Sequence, residues 1–238
     1  MKIPIEIIEA VKGNIVAVTG AGVSKASGIP VFRGKDGLWK NYRAEELATP
    51  EAFRTNPTRV WEWYIYRLNI IMNAKPNTAH ITLVELEKSS NFTLITQNVD
   101  GIHREAGSQN ILEIHGNIRR IWCTYCNHRT WLKKPPDDPP YCPHCKNLMR
   151  PDVVWFGESL NPEILNKAVK AVESADICLV VGTSGIVMPA AALPHYTKRA
   201  GGFVVEFNPQ NTPITPIADL NVPLPAEIGL PKFVNALE

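Results

Sequence analysis

No stretch of this 238-residue sequence approaches the ~18 consecutive apolar residues of a membrane-spanning helix, so no membrane partner is expected. Charge of one sign is also missing: 25 Lys and Arg stand against 23 Asp and Glu, a formal net charge of +2. That is too near balance to hold nucleic acid or an anionic surface by electrostatics alone. Residues Met1 to Lys12 have neither a basic leading segment nor a small-residue cleavage site, and Glu6 and Glu9 interrupt their apolar pattern. They do not read as a secretory signal, and the expected location is cytoplasmic. No internal repeat is visible. Cysteine is scarce, with five residues, yet four of them pair off as two Cys-x-x-Cys units. In a non-secreted chain that points to metal rather than disulfides. What is present is 45% apolar and 20% charged residues, a globular composition long enough for one large core or a core with an insertion.

Buried-type strands are predicted at Asn14–Thr19, Phe92–Thr96, Ile111–Ile114, Ile177–Val181 and Phe203–Phe207, all short apolar runs rich in β-branched residues. Between them, helix-like spacing is found at Glu6–Val11, in a long segment begun near Pro57, at Asn77–Leu86 with Asn77 as a cap, and at Asn161–Ser174. The alternation predicts an α/β fold with a parallel sheet and ligands at the strand carboxyl ends. From Arg119 to Arg150 the chain changes to cysteine, proline and polar residues, an insertion that needs a staple. The proline-rich tail after Pro209 is read as surface wrapping.

Several strand ends carry polar or glycine-rich groups. Gly20-Ala21-Gly22 follows the first strand and would let a backbone approach a pyrophosphate, with an exposed helix N-terminus behind it. The dinucleotide fingerprint is incomplete, because Lys25 occupies the third glycine position and no acidic residue follows at the usual distance; a plain tight turn is an equal alternative. His115, ahead of Gly116, is either a satisfied structural group or a general base. Asn98 and Asp100 fit a catalytic pocket or ordinary turns. Cys123-x-x-Cys126, fifteen residues, then Cys142-x-x-Cys145 has the spacing of a four-thiolate zinc site, which is closed and therefore structural. His128 and His144 lie near enough to replace a thiolate in principle. Cys178 is expected to be a small core residue.

Taken together, Gly20-Ala-Gly-Val-Ser24, Gly28-Ile-Pro-Val-Phe-Arg-Gly34, Thr96-Gln-Asn-Val-Asp-Gly101, Leu112-Glu-Ile-His-Gly116, the cysteine pairs, Val154-Trp-Phe-Gly-Glu158, Gly182-Thr-Ser184 and Glu206-Phe-Asn208 resemble, in order, the motifs of the sirtuins, NAD-dependent protein-lysine deacylases. The resemblance spans nearly the whole chain. It implies a Rossmann-like large domain over 1–32, 77–118 and 151–238, with a small domain made of a helical module, 33–76, and a zinc-binding module, 119–150. It implies NAD as cosubstrate and one structural zinc, with acylated lysine-containing proteins or peptides as partners. By the same resemblance Gly20, Ala21 and Gly22 would hold the phosphates, and Phe32 and Arg33 would lie in a loop over the cofactor. Gln97, Asn98 and Asp100 would face the ribose and nicotinamide, and Gly182, Thr183, Ser184 and Asn208 the adenosine half. Trp39, Val99, Pro209, Gln210 and Ala226 complete the cofactor-binding set. His115 would be the general base, with Asn98 and Asp100 beside it in the catalytic set; Val154, Phe156 and Gly157 would lie along the peptide.

Two positions set this chain apart from the commonest sirtuin pattern. Val31 stands where many members carry Asp. Tyr64 and Arg67 are one helical turn apart and share a face; they read either as a core aromatic with a snorkelling arginine or as a phenol and guanidinium poised for a carboxylate. Tyr-x-x-Arg at this point resembles the subgroup that removes succinyl and malonyl groups, so the expected activity is desuccinylation, demalonylation and deacetylation, giving nicotinamide and O-acyl-ADP-ribose. The rival readings are a deacetylase only, a mono-ADP-ribosyltransferase, and a non-catalytic module binding NAD or nucleic acid.

Overall fold

The computed structural model describes residues 2–32, 37–38 and 43–237. Its strands are β1 (Asn14–Thr19), β2 (Asn91–Thr96), β3 (Ile111–Glu113), β4 (Gly116–Trp122), β5 (Arg129–Trp131), β6 (Arg150–Val153), β7 (Ile177–Val181), β8 (Phe203–Phe207) and β9 (Leu220–Val222). The α-helices are α1 (Ile5–Ala10), α2 (Ala44–Leu47), α3 (Pro50–Thr55), α4 (Pro57–Asn73), α5 (Thr78–Ser89), α6 (Ile102–Ala106), α7 (Pro162–Glu173), α8 (Leu193–Arg199) and α9 (Ala226–Val234).

Six strands form a sheet in the order β3-β2-β1-β7-β8-β9, each pair parallel. Counted along the chain within that sheet, this is the 3-2-1-4-5-6 order of dinucleotide-binding folds, whose connections diverge between the first and fourth strands and open a crevice there. Both faces are covered, which is why the strands read as continuous apolar runs rather than alternating ones. Ile15, Ala17, Leu94, Leu179 and Val205 pack with Leu83 of α5 and with Leu230 and Phe233 of α9. The alternate residues Val16, Val18, Ile95, Cys178, Val180 and Val204 pack with Ala168 and Val172 of α7 and Leu193 of α8. Cys178 is thus the core residue its setting implied.

A smaller antiparallel sheet, β5-β4-β6, carries the cysteine segment. A third core joins it to α4: Trp61, Tyr64, Leu68 and Ile71 pack with Ile118, Ile121, Cys123, Cys142, Met149 and Trp155. Trp61 Nε1 donates to the Met149 carbonyl at 2.9 Å. Proline in the first turn and Asn56, whose side chain accepts from Arg59 N at 3.0 Å, start α4. Asn77 caps α5 as predicted, accepting from Ala79 N at 2.9 Å.

Three local expectations are revised. The tail after Pro209 is not mere wrapping: β9 is the sixth strand, and α9 buries Leu230 and Phe233 fully. Proline misled because Pro225 sits just before the first turn of α9, where its fixed φ and missing N–H cost little, and the helix continues through Pro231, which gives up one backbone donor. The segment after Gly20 is a 3-10 stretch, Ala21–Ser27, rather than an α-helix, and β3 ends at Glu113, one residue before the predicted Ile114. Among the described residues no helix is long and apolar enough to cross a membrane.

Candidate active site

A cavity of about 1420 Å³ opens at the carboxyl ends of β1, β2, β7 and β8. The sequence motifs converge on it. Its wall includes Gly20, Ala21 and Gly22 after β1, and Gln97, Asn98 and Val99 after β2. Gly182, Thr183 and Ser184 follow β7; Asn208, Pro209 and Gln210 follow β8; Ala226 comes from the start of α9. Phe32, His115, Tyr64, Arg67, Val154, Phe156 and Gly157 also line it, as does Val31 at the atypical position. Arg33 and Trp39 lie outside the described residues. Asp100 is absent from the wall and lies buried behind it.

His115 is turned into the cavity by the loop after β3. Its Nδ1 lies 3.0 Å from the Gln97 carbonyl oxygen. A carbonyl only accepts, so Nδ1 carries the proton and Nε2 keeps its lone pair. Burial pushes the imidazole pKa below its ordinary value, opposed by the bond to Gln97. The ring is therefore neutral at pH 7 and able to take a proton at Nε2. Gly116 is what permits this turn: φ is +80°, and an added Cβ would lie 2.2 Å from the Asp152 carbonyl oxygen.

The glycine-rich loop is tied to its neighbour across the sheet. Gly22 N–H donates to the Gly182 carbonyl at 2.8 Å, and a Cβ on Gly22 would meet that oxygen at 2.7 Å. Glycine is thus required for the β1 and β7 loops to touch, and this N–H is committed within the protein. Lys25, which broke the fingerprint, lines the cavity with an exposed side chain. Thr183 holds the adjoining wall: Gln97 Nε2 donates to its Oγ1 at 3.0 Å, and Asn208 Nδ2 to its carbonyl at 2.8 Å.

Behind Asn98 lies a buried polar network that the sequence reading missed. Asn98 Nδ2 donates to the Gly20 carbonyl at 3.0 Å and to Ser24 Oγ at 3.3 Å. Ser24 Oγ donates to Asp100 Oδ2 at 2.8 Å, and Asp100 Oδ1 accepts from Ile102 N at 3.0 Å. Asp100 is thus a turn residue and a network member at once. His80 Nδ1 accepts from Asn77 N at 3.3 Å, leaving Nε2 to face Ser24 Oγ at 3.5 Å. His103 Nε2 lies 3.1 Å from Thr19 Oγ1, which donates to Thr96 Oγ1 at 2.8 Å; Thr96 Oγ1 accepts from Asn98 N at 3.0 Å. The His80 and His103 rings sit 4.8 Å apart, and burial lowers both pKa values to about 3. His103 Nδ1 has no partner among the described residues. The available sequence signal was the pairing of Asn77 with His80 three residues on, a capping box that also reaches Ser24.

Tyr64 and Arg67 reach the cavity from α4. The Arg67 guanidinium stacks against Trp63 at 4.7 Å and Phe32 at 4.9 Å from the ring centres. It is 6% exposed, and among the described residues no carboxylate lies within 4.0 Å of it. Burial lowers its pKa, opposed by Tyr64 and Asp100, yet an arginine of this kind stays charged.

The four Sγ atoms of Cys123, Cys126, Cys142 and Cys145 lie within 4.8 Å of one another. A tetrahedron with Zn–S of about 2.3 Å has sulfurs ~3.8 Å apart, close to the 3.4 Å of Cys123–Cys145 and the 3.5 Å of Cys126–Cys142. The two knuckles share one turn: Asn127 and Lys146 adopt φ of 60° and 63°, with N–H groups donating to the Cys123 and Cys142 carbonyls. His128 and His144 meet edge to face, 4.4 Å between centres. The set fits one zinc, and four thiolates leave no open position.

Residues 20–189 match the model of the Sir2 family. The chain belongs to that family, the sirtuins. A curated relative from Pyrococcus abyssi, an NAD-dependent protein deacylase, is 54% identical over 230 residues, covering 93% of this chain and 92% of its own. Among solved structures, a Sir2 homologue complexed with NAD matches with a TM-score of 0.93 at 46% identity, covering 99% of this chain and 94% of that one. A Sir2 protein with a deacetylated p53 peptide and 3'-O-acetyl ADP-ribose matches at 0.89 and 32%, with 97% of both chains covered. In this sirtuin the strand order and the loop contacts at Gly22 and Gly182 shape a crevice that suits a dinucleotide.

Proposed function

We propose that this sirtuin is an NAD-dependent protein-lysine deacylase that removes succinyl and malonyl groups as well as acetyl. The observation that carries the acyl preference is Arg67. A buried cation with no carboxylate within 4.0 Å among the described residues is costly, by several kcal/mol once desolvated, and Arg67 borders the same cavity as His115. An acyl chain ending in a carboxylate would supply the missing charge, with Tyr64 one helical turn away as a second donor. Acetyl-lysine brings no such charge.

The cofactor-binding residues are those of the cavity wall. Gly20, Ala21 and Gly22 with Lys25 border the region suited to phosphates, and Thr183, Ser184 and Asn208, braced by Gln97, border the adenosine half. Bound NAD would supply an electrophilic ribose carbon and the hydroxyls that receive the acyl group. His115 acts as general base at Nε2, its other nitrogen pinned to Gln97, and its depressed pKa keeps it unprotonated at neutral pH. Asn98 is oriented by Gly20 and Ser24, and Asp100 holds Ser24, so Asp100 acts through others. A zinc held by Cys123, Cys126, Cys142 and Cys145 would take no part in the reaction and would pin the small sheet to the core it shares with α4.

The test is to incubate the protein with NAD and matched succinyl-, malonyl- and acetyl-lysine peptides and follow products by mass spectrometry. Turnover of all three is expected. Arg67→Met should lower the succinyl-to-acetyl ratio of kcat/KM about ten- to hundredfold, the value of one charge-assisted pair. Turnover of the acetyl peptide alone would refute the acyl preference; turnover of none would refute deacylation.

A further inference from the structure

The loop that follows β6 is held by a network reaching from the cysteine segment to α4. Arg150, 4% exposed, donates from Nη1 to Glu158 Oε1 at 2.6 Å and from Nη2 to Oε2 at 2.9 Å. Its guanidinium lies over the Trp155 indole, 3.3 Å from the ring centre, and Glu158 Oε2 also accepts from Trp155 N at 2.8 Å. The indole is therefore gripped at its face and its backbone, and Phe53 packs beside it at 5.3 Å. From there Trp155 Nε1 donates to Tyr64 Oη at 2.8 Å.

The direction of that last bond matters. An indole N–H can only donate, so the phenol oxygen is the acceptor and its own hydrogen must point elsewhere. Tyr64 is fully buried apart from its place in the cavity wall, and burial raises its pKa, so the hydroxyl stays protonated. Trp155 lines the same cavity.

We infer that Trp155 is a positioning residue for acyl selection: by donating to Tyr64 Oη it turns the phenol hydrogen toward the cavity, where it converges with the Arg67 guanidinium on the carboxylate of an acidic acyl chain. Arg150 and Glu158 keep the indole in place, so Arg150, which lies off the cavity wall, contributes to substrate choice through the indole. No bond is made or broken by Trp155. The inference rests on the acidic-acyl reading of Tyr64 and Arg67.

Trp155→Phe keeps a ring in place and removes the N–H. The succinyl-to-acetyl ratio of kcat/KM should fall about tenfold, the worth of one well-oriented hydrogen bond to a charged group, mostly through KM for the succinyl peptide. In a Tyr64→Phe background the same substitution should leave the ratio unmoved, because the indole acts through the phenol. A merely structural role would lower both substrates together and leave the ratio alone. An unchanged ratio, or an equal fall in the Tyr64→Phe background, overturns the inference. Should Trp155→Phe fail to fold, Glu158→Gln loosens the same grip and is read by the same ratio: a fall supports the inference and an unchanged value overturns it. A wild-type chain that removes no succinyl group would refute the acidic-acyl reading and the inference with it. Succinyl turnover that responds to Arg67→Met but not to Trp155→Phe would refute the inference alone.

Discussion

The two sheets of this sirtuin solve the same problem by opposite means. The six-stranded sheet is covered on both faces, with Val16, Val18 and Val180 turned to one core and Ile15, Ala17 and Leu179 to the other. Its strand ends can then be held rigidly enough to place His115 against Gln97. The three-stranded sheet buries β4 and β6 residues such as Ile118, Ile121 and Val153 in the core it shares with α4, but β5 is exposed along its whole length, with Trp131 52% accessible. It is anchored by Cys123 and Cys142, which are themselves part of the core under α4. One sheet is held by apolar burial on both faces, the other by a smaller core and its cysteine ligands, and chemistry sits on the first.

Removing the metal should separate them most sharply. A structural zinc is worth on the order of 10 kcal/mol to a small module, far beyond what β5 can bury. Chelation is expected to release one zinc, expose four reactive thiols and abolish amide protection in 119–150, while β1, β2 and β7 keep theirs. Hydrogen exchange read by mass spectrometry checks this; a metal-free chain with its small sheet still protected would contradict the account.

A substitution on the other side of the comparison leaves the fold intact. His115→Ala removes the base and should lower kcat by about 10²–10⁴, with NAD binding and melting temperature little changed. In the wild type the acid limb of kcat/KM should lie below pH ~6.5, because burial depresses this imidazole. A limb above that value would mean that the ring is not held neutral.

A third comparison concerns the network behind the wall. His80 and His103, ordinarily near ~6.5 when unfolded, are lowered to about 3 in the folded chain. The unfolded state therefore binds more protons between those values, and stability is full above pH ~6.5 and falls as pH drops toward 3. The slope is at most about 1.4 kcal/mol per pH unit for each imidazole. Melting curves from pH 7.5 to 4.5 should show the decline, and His103→Gln should flatten it. An unchanged slope in that variant would place the acid sensitivity elsewhere.

Sequence reasoning reached the large sheet and missed its edge for one reason. β1, β2, β7 and β8 are buried on both faces and therefore spell themselves in apolar runs, whereas β9 has three residues and follows a proline-rich stretch. The cysteine spacing was legible because a tetrahedral ion constrains it locally. His115 and Asn98 were legible as strand-end polar groups. His80, His103 and Trp155 were not, since their partners Ser24, Thr19 and Tyr64 lie 56, 84 and 91 residues away and no local pattern encodes such a pairing. Asp100 was placed in the pocket, but the turn at Gly101 carries it behind the wall.

Residue order alone therefore determined the α/β alternation and the metal set, because burial on two faces and tetrahedral ligation both leave periodic or spaced signatures along a chain; the family was legible only through the resemblance of its ordered motifs. Tertiary structure decided which groups face the cavity and in what state. The tautomer of His115, the charge of Arg67 left without a carboxylate among the described residues and the direction of the Tyr64 hydrogen all depend on donors, acceptors and burial supplied by distant segments, and these exist only once the chain has folded.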